Sequence, residues 1–206
     1  MYNTYGANKK SIGSGYPVWL RVDEKETSGG VLEVLPKVGE VLPAGTLVEV
    51  DGAGGTAKVL DTYEVAEAVT ADSTSVKVYS AGALPQLREG TFVMKAPATV
   101  DAKGKAVAVT GITDNGDGTS SFTITAGGLG TLVKGDILVG AVAAGASVQM
   151  YCVPTGLTEN DVVPEIGDTK GTVASVYHGQ VMADRIQPVP QCVKDNLPQI
   201  KFQTGV

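Results

Sequence analysis

The residues of this chain whose types could do chemistry are few: one histidine, His178, two cysteines, Cys152 and Cys192, and the carboxylates of Asp114 and Asp117. A histidine becomes a general base when a Ser or Cys nucleophile is placed beside it by a recognisable elbow, and no such elbow is present. Cys152, Cys192 and His178 could between them offer three zinc ligands, but their spacing matches no common zinc site. A calcium loop starting at Asp114 would need a carboxylate or amide at its third position and a carboxylate at its twelfth. Gly116 and Thr125 stand there instead, so Asp114-Asn115-Gly116-Asp117-Gly118 reads as a hairpin turn. Gly52-Ala53-Gly54-Gly55 would cradle a pyrophosphate only between a strand and a helix; here a strand follows, and the stretch reads as a turn. The remaining carboxylates are scattered among turns, where Asp bonds to backbone, and aromatic platforms for a sugar are few. No catalytic, cofactor-binding or metal-binding residue is therefore assigned, and the chain reads as a non-enzyme without cofactor.

The elements that would position any site are β-strands. Leu47-Val48-Glu49-Val50 alternates, Asp51 to Gly55 turns, and Ala57-Lys58-Val59-Leu60 returns, which predicts a hairpin over 47–60. Pro43-Ala44-Gly45 before it is a tight turn, with Pro fixing φ and Gly supplying a positive φ. Strands are expected at 17–22, 31–35, 148–153, 171–177 and 200–202, with polar loops over 23–30 and 154–170 and one helical turn at Thr158-Glu159-Asn160-Asp161. Pro190 can open a short helix in which Val193 and Leu197 share a face and which Pro198 ends.

Between Glu64 and Gly140 one design is stated twice. Val65 to Val69, a turn at Ala71-Asp72-Ser73 and Thr74 to Val78 lead through a loop to Arg88-Glu89-Gly90-Thr91-Phe92-Val93-Met94. Ala106 to Val109, the turn at Asp114 to Gly118 and Ser121 to Thr125 lead to Val133-Lys134-Gly135-Asp136-Ile137-Leu138-Val139. Each copy reads as a hairpin, a loop and a short apolar strand entered through a charged-Gly-polar turn. The expected class is all-β: a Gly-rich β-sandwich or barrel-like base from residues 17–63 and 141–206, an inserted hairpin-rich lobe at 64–140, and one short C-terminal helix. Residues 1–16 precede the base, either as a disordered leader or as an arm that orders on a partner, with Tyr2 and Tyr5 as amphipathic anchors beside Lys9 and Lys10.

Composition bounds the function classes. The 206 residues include 27 Gly, are 43% hydrophobic and only 18% charged, and carry 5% aromatics, so a core of Val, Leu, Ile and Ala is expected. A net charge of −6 without a Lys/Arg cluster argues against nucleic-acid binding. No apolar run reaches membrane-spanning length, and the N-terminal residues lack the apolar core of an export signal, so synthesis and folding in the cytoplasm are expected. Two cysteines read as buried thiols in a reducing compartment, with a single disulfide as the other reading.

Two stretches carry a family resemblance. Gly39-Glu40-Val41-Leu42-Pro43-Ala44-Gly45-Thr46-Leu47-Val48, followed by Ala57 to Leu60 and Tyr63-Glu64-Val65, resembles the entry strand of tailed-phage head decoration proteins. The run from Val176 to Ile186, then Pro188-Val189-Pro190 and Val193 to Phe202, resembles the ending of head fiber or capsid-decoration proteins in phages of gut Bacteroides-type hosts. The Gly135 to Val139 strand suits the same proteins, and the likeness covers about two thirds of the chain. It implies a structural virion protein on the outer face of an icosahedral capsid, commonly a homotrimer, bound to the major capsid protein. Tyr2, Tyr5, Lys9 and Lys10 are then the candidate capsid contact, since an arm can add a strand to a neighbouring sheet edge. A module binding host glycans or receptors is the alternative; Trp19, Tyr79 and Tyr151 are its candidate aromatics, although core or interface places suit them too. A virion hydrolase is the other, and it finds no support among the residues.

Overall fold

The computed structural model describes residues 17–53, 55–80 and 87–205. The chain is mostly strand, with a single short α-helix among the described residues. The first strand, β1 (Trp19–Leu32), is the longest. Next come the hairpin β2 (Leu47–Asp51) and β3 (Thr56–Val59) and the short β4 (Thr62–Glu64). Then follow β5 (Ser75–Tyr79), β6 (Phe92–Lys95), β7 (Gly104–Ala108), β8 (Thr110–Asp114) and β9 (Thr119–Thr123). After them come β10 (Ile137–Ala141), β11 (Gly145–Val148), β12 (Gly156–Thr158) and β13 (Thr172–Met182). A 3₁₀ turn (Ala183–Arg185), helix α1 (Gln191–Asn196) and β14 (Ile200–Gln203) complete the described elements.

Five strands close on themselves. The order β1-β3-β2-β12-β13 returns to β1 through an antiparallel β1–β13 ladder, so the sheet is a mixed barrel, and β14 extends it by pairing parallel to β13. Closure removes most of the unpaired edge that an open sheet would expose. The chain between β3 and β12 supplies the strands of a five-stranded sheet, β11-β7-β6-β10-β4, and a three-stranded sheet, β5-β9-β8. The largest core cluster runs across the junction: Leu47, Leu157 and Val181 of the barrel pack with Met94, Ala106 and Val139 of the five-stranded sheet. A second cluster, centred on Val76, Val78, Val93, Phe122 and Leu138, lies within the two smaller sheets. We propose residues 64–140 as a lobe set into the base, with a core continuous across its root.

Several local expectations change. Residues 23–30 form no loop but the middle of β1, because the ladder to β13 absorbs the polar run through four register shifts, each of which turns side chains relative to the partner strand. The second copy's hairpin uses a strand of its own, β8, paired to β9, while β7 pairs with β6 and β11. Residues 65–69 form no full strand but single bridges, Val65 to Val78 and Val69 to Leu132. The stretch 148–153 is strand only at its start, and Thr158 ends β12 in a bend, without a helical turn.

In the two smaller sheets, strands of one copy pair with strands of the other. In β5–β9, Lys77 lies opposite Ser121, with Val76 opposite Phe122 on one side and Val78 opposite Ser120 on the other. In β6–β10, Met94 lies opposite Val139. Each copy also holds the other's turn. The Gly135 N–H donates to Val65 O at 2.9 Å and the Val65 N–H to Asp136 O at 2.8 Å; Gly90 donates to Val109 O at 3.1 Å and Val109 to Thr91 O at 2.8 Å.

The barrel repeats the device. Gly45 donates to Thr158 O and Thr158 to Thr46 O, both at 2.8 Å. In all three turns the glycine has positive φ, 79°, 81° and 89° for Gly45, Gly90 and Gly135, as the third residue of a type II turn requires. The residue after each glycine closes the turn. The hydroxyls of Thr46 and Thr91 donate to the carbonyls of Pro43 and Arg88, at 2.6 and 2.7 Å, and Asp136 Oδ2 accepts the Val133 N–H at 2.8 Å. Asp136 also meets Lys95 at 2.7 Å. Burial alone would raise its pKa, but Lys95 and the Val133 amide outweigh that and hold it below the ordinary range. Asp136→Ala should therefore cost about 1–2 kcal/mol in urea unfolding at neutral pH. Because the folded pKa is depressed, that difference should be present above about pH 4 and shrink as pH falls through the folded value.

Candidate functional site

Tyr2, Tyr5, Lys9 and Lys10 lie outside the described residues. The other sequence candidates are spread apart by the fold. His178, on β13, is partly exposed, and its Nε2 is 3.8 Å from Asp23 Oδ2, a carboxylate already bonded to Arg21. Cys152 and Cys192 are buried, free thiols in the largest core cluster, and burial pushes both thiol pKa values up. Among the described residues no group of three or more His, Cys, Asp or Glu is arranged to hold a metal.

The Asp114–Gly118 turn consumes its own carboxylates. Asp114 Oδ1 accepts the Gly116 N–H at 2.9 Å, and Asp117 Oδ1 accepts the Thr119 N–H at 3.1 Å. The Thr119 hydroxyl, and then Lys77, hold Asp117 below the usual carboxylate range. At the β2–β3 turn, Asp51 accepts the Ala53 and Gly55 N–H groups at 3.0 and 2.7 Å. Of the three aromatics considered for glycan binding, Trp19 donates its indole N–H to Thr158 O at 3.1 Å, and Tyr79 is half-buried in β5. Tyr151 lines a cleft.

That cleft, of about 330 Å³, opens at the seam where the chain crosses from the barrel to the five-stranded sheet. Leu60 and Asp61 make the crossing between β3 and β4, and the Gly140 N–H at the end of β10 donates to Asp61 O at 3.0 Å, tying the two sheets together there. The walls are Val34, Pro36, Leu42, Val59, Phe92 and Val142, with Tyr151 across from them in sequence order on the return toward β12. Junctions between packed sheets are places where ligand clefts commonly form.

Four charged side chains, Glu33, Lys58, Asp61 and Arg88, line this space, and Glu40 reaches Arg88 from beside it. Lys58 pairs with Glu33 at 3.8 Å, and Arg88 Nη2 pairs with Glu40 Oε2 at 2.8 Å. Arg88 Nε is buried without a partner. Asp61 is the carboxylate left over: among the described residues no group donates a hydrogen bond to it. Burial raises its pKa to about 6; the Arg88 charge works against that rise and the Glu40 charge adds to it. Tyr63, buried two residues on, is pushed well above the ordinary phenol range, first by burial and then by the Asp61 charge. The arrangement holds a carboxylate with a raised pKa in contact with an apolar space.

Asp61 carries almost no sign of this in the sequence. It sits between Leu60 and Thr62 in an otherwise buried run, with no glycine or proline to make it a turn residue, and that is the one cue.

A second surface feature lies on the barrel. Residues 19–25 of β1 pair with β13 on one edge and with no other described strand, because β3 reaches only Val31 and Leu32. Leu20 and Val22 on this ribbon are 52% and 37% exposed, and Tyr177 on β13 is 39% exposed. Charged residues interrupt the apolar ones: Arg21, Asp23, Glu24 and Lys25. No protein-family model, curated protein or solved structure matches the chain.

Proposed function

We propose that the protein is a structural component of a virion, set on the outer surface of an icosahedral phage capsid, where it braces the shell or carries its surface contacts. The observation that supports this most is the half-paired β1–β13 ribbon. A strand edge with exposed Leu20 and Val22 is an interface waiting for backbone and apolar partners, and residues 1–16 join the chain at its start. A capsid ornament needs only modest affinity per contact, because many identical copies act together. In this reading the major capsid protein is the partner, Tyr2, Tyr5, Lys9 and Lys10 are the capsid contact, and three copies associate around a symmetry axis.

The alternative, a module that binds host glycans or receptors, has one observation in its favour: Tyr151 and Phe92 line the cleft beside Asp61. Light scattering on the purified protein separates the two. The decoration reading expects three times the 21.1 kDa chain mass, or about 63 kDa, and co-sedimentation with capsids that lack the protein. Substituting Leu20→Lys with Val22→Lys should shift the mass toward the monomer while leaving thermal unfolding in place. A protein that neither trimerises nor sediments with capsids would overturn the proposal.

A further inference from the structure

The cleft at the seam has a charge inventory that does not close. Glu33 is matched by Lys58 and Glu40 by Arg88, which leaves the Asp61 carboxylate as the one unmatched charge facing the space. Tyr151 also lines it, and Tyr63 and Cys152 stand near Asp61; all three are held neutral, their pKa values raised first by burial. The rest of the lining is mostly hydrocarbon and ring, including Val34, Leu42, Val59, Phe92, Val142 and Tyr151, and the Thr91 hydroxyl there is bonded to Arg88 O. A carboxylate without a donor, whose nearest cation Arg88 is committed to Glu40, has its charge only partly matched, and aromatic faces add attraction for a cation held over them. An anion would meet Asp61 and Glu33; a neutral apolar molecule would leave the carboxylate desolvated and unpaired.

We propose that this cleft binds an organic ammonium ion, with the charged head against Asp61 and the hydrocarbon body against Phe92, Tyr151 and the aliphatic wall. The site goes beyond the virion role and does not depend on it. Its ligand chemistry has two sources, a free alkylamine or the side chain of a lysine on another protein, and the volume admits either head and chain.

The test uses the full-length protein, with n-butylammonium chloride as probe, 1-butanol as its neutral counterpart and Nα-acetyl-lysine N-methylamide as the lysine mimic. Binding is followed by ligand-observed NMR and by shifts of the protein's methyl signals. At pH 7.5 n-butylammonium should bind in the millimolar range or tighter, at least tenfold better than 1-butanol. With a free carboxyl pKa of about 6, its affinity should fall about tenfold between pH 7.5 and pH 5, as Asp61 takes up a proton and the ion loses its counter-charge. Asp61→Asn should abolish the preference for the cation and flatten the pH dependence, and Phe92→Leu should weaken binding severalfold with the pH dependence kept. Lysine mimic binding equal to that of n-butylammonium identifies a protein lysine as the source; its exclusion, with n-butylammonium bound, identifies a free amine. Equal binding of alcohol and ammonium, unchanged binding to the Asp61→Asn protein, or no binding at the solubility limit of the probe would overturn the proposal.

Discussion

Gly45→Ala should unfold at a much lower urea concentration than the parent protein, with a loss of about 3 kcal/mol or more, while the same substitution at Gly90 or Gly135 costs about 1 kcal/mol. The three glycines share one turn geometry, with φ between 79° and 89°, so the backbone strain on adding a methyl group is common to all. Their surroundings differ. A Cβ at Gly45 would stand 2.3 Å from Ile186 Cγ2 and 2.8 Å from Val18 Cγ1, whereas at Gly90 and Gly135 nothing lies within 4 Å. Ile186 cannot swing its methyl away, because a β-branched side chain has little freedom at χ1 and this one is buried in the main cluster. The overlap must therefore be relieved by moving the segment after β13 or the Pro17-Val18 entry to β1. Equilibrium urea unfolding of the three variants measures the difference; equal losses at all three positions would show that strain alone, and not packing of the turn on Ile186, governs the site.

The second large effect is a gain. Asp61→Asn should stabilise the protein by about 2 kcal/mol at pH 8 and by close to nothing at pH 4. The sign follows from proton binding. The folded pKa, about 6, lies above the ordinary carboxylate value, so the folded state holds the proton more tightly than the unfolded chain between the two values. Stability contributed by the neutral carboxyl is complete below about pH 4 and is lost as pH rises through 6. Asn, neutral throughout, is free of that loss. The magnitude is set below the full shift because Asp61 is only partly buried and water reaches it. Urea midpoints for the two proteins from pH 4 to pH 8 test this; parallel curves would mean that Asp61 titrates as an ordinary surface group. A stabilising substitution at a cleft residue is also what a binding site predicts, since such sites hold groups that folding alone would not select.

Local chemistry was readable from the residues wherever a turn and its strands were adjacent. The β2–β3 hairpin, the glycine turns before β2, β6 and β10, and the short helix after Pro190 all follow from residues within a dozen positions of one another. Barrel closure was not, because it joins Trp19–Val31 to residues 172–181, and no short pattern records a pairing at that distance. The polar run 23–30 misled for the same reason: composition alone favours a loop, and only the ladder to β13 makes it strand. Asp61 has no signature in the sequence because its significance lies in what surrounds it. The groups that define the cleft come from six separate stretches, and a carboxylate without a partner is visible only once all of them are in place.

The ends of the barrel strands set how a pull on the chain would act on its ladders. Trp19 lies opposite Val181, and Val181 lies beside Phe202, so β1 begins and β14 finishes on the same side of the barrel, about 10 Å apart at the strand spacing of a sheet. Tension applied between these two points acts across the strands and not along them. The ladders would part like a zipper, one hydrogen bond at a time, beginning at Met182 N–H to Val18 O. A molecule held at only one of these two points would carry no tension between them, and the β1–β13 and β13–β14 ladders would stay closed.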